Sequence, residues 1–80
     1  MSSNKIRDGL FELLEDLRPG TKFNEKLNLV EDLNFDSLDL ISFLFEVQSK
    51  FDVKIPDEDI DTYKLFKIDN LCNYIERKNN

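Results

Sequence analysis

Histidine is absent from this chain of 80 residues. That excludes Ser-His-Asp and Cys-His catalysis within the chain and removes the commonest metal ligand. The single cysteine, Cys72, excludes an internal disulfide and a CxxC pair. With two glycines there is no glycine-rich phosphate loop. No apolar run approaches the roughly 20 residues that span a bilayer. The opening MSSNKIRDGL lacks the apolar core of a signal peptide. The expectation is a soluble, cytoplasmic protein, with an autonomous enzyme the least favoured class.

Acid is plentiful and unevenly placed. The net charge is −6; residues 1–30 balance five acids against five bases, residues 31–61 hold ten acids against two bases, and residues 62–80 hold two against four. Such a surface repels nucleic acid and anionic lipid and attracts basic protein surfaces; it also serves simply to keep a protein soluble. A 40% hydrophobic content in 80 residues predicts one small domain, residues 1–80, near the lower size limit for a core.

Periodicity predicts an all-α fold. Ile6, Leu10, Leu13, Leu14 and Leu17 share one helical face, with Ser2, Ser3 or Asn4 to cap it and Pro19-Gly20 to stop it. Residues 20–35 show no sustained period and form a long connection, pinned by Phe23, Leu27, Leu29 and Leu33. A second helix runs from Asp36 or Ser37 to about Phe51, with too many apolar positions for one stripe. Pro56 and Asp57-Glu58 open a short helix. Ile68, Leu71, Cys72 and Ile75 mark a last helix ending near Lys78, with Cys72 as a small core residue. This is a small four-helix bundle: three main helices, a short one, and a long loop between helices 1 and 2.

Calcium fails a direct test. DEDIDTYKLFKI places Asp57, Asp59 and Asp61 at EF-hand positions 1, 3 and 5, but Thr62 replaces the turn glycine and Ile68 the bidentate glutamate. DLNFDSLDLISF fails likewise, with Ser37 and Phe43 at those positions.

Ser37 stands where a polar loop gives way to the apolar helix. In purely local terms Asp36 is an N-cap, Asp39 sits at N3 near a capping-box arrangement, and Ser37 fills the first turn. Asp-Ser-Leu alone arises by chance in roughly 3% of chains this long. A hydroxyl at a helix N-terminus also suits a phosphodiester, because backbone N–H groups and the helix dipole favour an anion there. Another enzyme would supply the base and metal.

The segment EDLNFDSLDLISFLFEVQSKFDVKIPDEDI resembles the central part of the acyl carrier protein family. The order of Asp36-Ser37-Leu38, Phe51 and Ile55-Pro56 carries the likeness, and the first helix, long loop and final NYI extend it over nearly the whole chain. The resemblance implies a non-catalytic carrier in fatty acid, polyketide or related specialised biosynthesis. Ser37, flanked by Asp36 and Leu38, would bear 4′-phosphopantetheine from coenzyme A, and the thiol of that arm would hold acyl groups as thioesters. A phosphopantetheinyl transferase and acyl-loading and processing enzymes would be transient partners of a monomer.

The same resemblance implies a core of Leu33, Phe43, Val47, Phe51, Ile60, Leu71 and Ile75. It implies an outward partner face of Leu38, Asp39, Ile41, Phe45 and Glu46, with Asp57 and Glu58 on the short helix. The acidic stretches 31–39 and 57–61 would steer the carrier to basic docking sites. Three departures from the family pattern lean toward a dedicated pathway. Asn34 stands where the family usually has glycine. Ser42, Gln48, Ser49 and Lys50 stand where acids are common, with Phe45 as an added aromatic. The stretch after Pro56 is slightly long, as in D-alanyl and other discrete carriers. A D-alanyl or aminoacyl carrier on the same serine is the alternative; from another class, a small acidic helical inhibitor of a basic partner is the rival.

Overall fold

A computed structural model describes residues 3–78. Four helices follow in order: α1, Ser3–Leu17; α2, Ser37–Phe51; α3, Asp57–Thr62; and α4, Ile68–Lys78. The three long helices bundle with α1 packed against both α2 and α4. Among the described residues, no helix is long and apolar enough to cross a membrane.

The α1 stripe narrows to Ile6, Leu10 and Leu14, all fully buried, while Leu17 at its end is exposed. Ser3 and Asn4 lie inside the helix and so are not its caps; Ser2 lies outside the described residues. The helix stops ahead of Pro19, and Gly20 takes a left-handed φ of 84° in the turn.

Gly9 lets α1 approach α2 closely. A Cβ there would sit 2.7 Å from Phe51 Cζ and 3.1 Å from Lys50 Cε. The Phe51 ring is buried and has little freedom to retreat. Gly9→Ala gains about 1 kcal/mol of helix propensity but overpacks the contact by about 1–3 kcal/mol. The expected result is a lower midpoint of urea unfolding with an unchanged slope; an equal or higher midpoint would show that the ring moves aside freely.

The connection between α1 and α2 is held by its own backbone chemistry. Leu27 and Leu29 are buried, and Phe23 stacks on Phe11 with ring centroids 5.4 Å apart. Leu29 N–H donates to Phe66 O at 2.8 Å and Ile68 N–H to Leu27 O at 3.0 Å, an isolated antiparallel bridge to the segment entering α4. Buried Asn28 organises the next turn: its Oδ1 accepts from the N–H groups of Val30 and Glu31, both at 2.9 Å.

Of the seven expected core residues, Phe43, Val47, Phe51, Leu71 and Ile75 are buried, whereas Leu33 and Ile60 are half-buried at its edge. Cys72 is buried in α4. Helix α3 buries none of its residues completely. It is tethered instead by Tyr74 of α4, whose hydroxyl donates to Asp59 Oδ2 at 2.6 Å. Burial, then that bond to the carboxylate, pushes the Tyr74 phenol well above the usual tyrosine range.

The unfolded chain ionises its tyrosines near about pH 10. Tyr74 therefore adds stability below that pH, and this stability is lost as pH rises beyond it. Tyr74→Phe is expected to cost about 1 kcal/mol at neutral pH and to flatten the fall of Tm above about pH 10. Parallel alkaline Tm curves for the two proteins would dismiss the tether.

Candidate functional site

The N-terminus of α2 is built by three consecutive residues. Asn34 adopts a left-handed φ of 57°, as a residue standing in for glycine must. Phe35 turns inward, buried, with its ring edge-on to Phe43 at 6.2 Å. Asp36 then caps the helix. Its Oδ1 accepts from Asp39 N–H at 2.8 Å, while Asp36 N–H donates back to Asp39 Oδ2 at 3.3 Å, completing the capping box.

Ser37 follows as the first helical residue, with its side chain exposed and in no hydrogen bond among the described residues. The backbone N–H groups of Ser37 and Leu38 likewise have no partner among the described residues. An exposed hydroxyl beside two unpaired N–H groups, at the positive end of a 15-residue helix, fits a phosphodiester. The neighbouring carboxylates are engaged in the cap and do not serve the hydroxyl as a base.

The outer face of α2 above this point is apolar. Leu38 is 73% exposed, Ile41 53% and Phe45 70%. Glu46 is exposed beside them, as are Asp57 and Glu58 on α3. Asp39 is drawn partly inward by its capping bonds. Lys50 at the far end of α2 pairs with Glu12 of α1 at 3.3 Å.

One residue of the site had no sequence signal. Arg18, just past α1, reaches Asp39 Oδ2 with Nη2 at 3.4 Å and lies 4.9 Å over the Phe35 ring. The two charges are 21 positions apart, beyond any local pattern.

Cys72, the chain's own thiol, is far from suited to carrying an acyl group. Burial pushes it up, and Glu76 adds to the shift. Its burial in α4 keeps it from serving as an exposed nucleophile. Among the described residues, no cluster of acids and cysteine is arranged to hold a metal ion.

The family model described as phosphopantetheine attachment site matches residues 9–75. The chain is 31% identical to an acyl carrier protein of Thermobifida fusca over 95% of its own length and 96% of the relative's. It is 30% identical to an acyl carrier protein of Chlorobium luteolum over 98% and 100% of the two chains. Similarity to the acyl carrier protein of Campylobacter lari is higher, 48%, but spans 60% of the length of each.

Proposed function

The chain belongs to the acyl carrier protein family, and on that basis we propose that Ser37 bears its covalent 4′-phosphopantetheine and presents acyl groups to the enzymes of a dedicated biosynthetic pathway. Members of this family are carriers without catalysis of their own. The observation that carries the assignment is the exposed Ser37 hydroxyl at the capped start of α2, inside the matched segment.

When bound, the arm supplies a terminal thiol that holds acyl groups as thioesters. Everything else falls to the chain's own residues. Ser37 Oγ bonds to the phosphorus that bears the pantetheine; the pyrophosphate bond of coenzyme A breaks, and adenosine 3′,5′-bisphosphate leaves. The hydroxyl proton passes to a base of the transferase. The capping box holds the helix start in place, and the N–H groups of Ser37 and Leu38, at the positive end of α2, would favour a phosphodiester anion attached there.

The reading of a dedicated pathway is supported by the face around Ser37. Leu38, Ile41 and Phe45 present apolar surface, and Ser42 and Ser49 are exposed where carboxylates would otherwise stand. Steering by the acidic stretches 31–39 and 57–61 is compatible with brief encounters, which a carrier needs in order to leave each enzyme after its step.

Incubation with a broad-specificity phosphopantetheinyl transferase, coenzyme A and magnesium should add one phosphopantetheine to the intact mass. No gain from a folded, unmodified protein overturns the assignment. Loading assays on the modified protein then separate acyl from D-alanyl or aminoacyl cargo. Acceptance of an aminoacyl group alone would replace the acyl reading.

A further inference from the structure

The geometry points to Arg18 as a positioning residue for Ser37, acting through Asp39 and Phe35; the inference rests on the carrier reading above. Arg18 leaves the end of α1, where its Nη1 donates to Leu17 O at 3.0 Å. The same guanidinium meets Asp39 Oδ2 at 3.4 Å and covers the Phe35 ring at 4.9 Å. Asp39 Oδ2 is also the atom that accepts from Asp36 N–H. Phe35 and Asp36 are the two residues that lead into Ser37. Arg18 thus grips both sides of the turn that aims the hydroxyl.

The grip is suited to arginine. A planar guanidinium pairs with a carboxylate through its edge and lies on an aromatic ring with its face, which a lysine ammonium does not do at once. Its position also sets a cation against an acidic cap that a polyanionic coenzyme has to approach. Side-chain exposures of 39% for Arg18 and 41% for Asp39 keep each contact modest. Their joint effect is on where the helix start sits, rather than on whether the protein folds.

Two readouts test this. Transfer kinetics by intact mass are measured for wild type, Arg18→Gln and Arg18→Lys, well below Tm. Amide hydrogen exchange is followed at Leu38, Asp39 and Leu40. Arg18→Gln is expected to lower kcat of transfer about threefold to tenfold with little change in KM, and to raise Asp39 amide exchange by a similar factor. Arg18→Lys should recover only part of each. Unchanged kcat in a folded Arg18→Gln protein overturns the inference. A lower kcat with unchanged exchange also overturns it, since Arg18 would then be touching the transferase directly. If wild type accepts no phosphopantetheine, the carrier reading fails, while the exchange arm still reports whether Arg18 holds the turn.

Discussion

Ser37→Ala will gain no mass under conditions in which the wild type takes up one phosphopantetheine. The effect is all-or-none because the step makes a bond to Ser37 Oγ, and alanine has no atom to bond. The substitution tests chemistry and not folding. Capping at this end of α2 rests on the Asp36 and Asp39 side chains, and the Ser37 hydroxyl has no hydrogen bond among the described residues. Alanine is the best helix former, and surface changes of this kind usually stay within about 0.5 kcal/mol. Circular dichroism and Tm should therefore match the wild type. A residual gain in the variant would mean that another hydroxyl, such as Ser42 or Ser49 on the same exposed face, is the acceptor, and the assignment to Ser37 would be wrong.

This site was readable in the sequence to the extent that its causes are local. The helix start and the Asp36–Asp39 cap depend on neighbours within a few positions, and each stands in the structure as the residues predict. The same holds for the bounds of α4; the exposure of Leu38, Ile41 and Phe45 was implied by the family resemblance, because α2 carries too many apolar positions for spacing alone to choose its outer face. What escaped is pairwise and distant. Arg18 meets Asp39 across 21 positions, and Tyr74 meets Asp59 across 15. No periodicity encodes such contacts, because they depend on how helices cross after the core forms. The half-burial of Leu33 and Ile60 has the same origin: the resemblance implied both as core, but they sit where the long loop and α3 reach the rim of the bundle. At the start of α1 the sequence offers three adjacent caps; Ser3 and Asn4 lie inside the helix and Ser2 lies outside the described residues, and composition alone does not say which of several polar neighbours comes last before a helix.

The partner face gives the second large effect. Leu38→Ala with Phe45→Ala is expected to reduce kcat/KM for modification and for acyl loading by about tenfold to a hundredfold, the range in which a buried aromatic anchor of an interface falls. Two contributions to recognition have to be separated here. On the carrier proposal, acidic residues of the stretches 31–39 and 57–61 would act at long range, raising the encounter rate in a way that weakens with salt. The apolar side chains would act only at contact and set how long the complex lasts. The double variant keeps every charge, so the salt dependence of kcat/KM should retain the wild-type slope while the whole curve drops. Asp57→Asn with Glu58→Gln should do the reverse, flattening the slope with a small loss at high salt. Both α2 positions are exposed, at 73% and 70%, so alanine there leaves the core intact and Tm close to wild type. Unchanged rates in the Leu38 and Phe45 variant would remove this face from the interface. The apolar surface would then need another explanation, because burying it costs the isolated chain nothing and exposing two large side chains beside the attachment point gains it nothing in water.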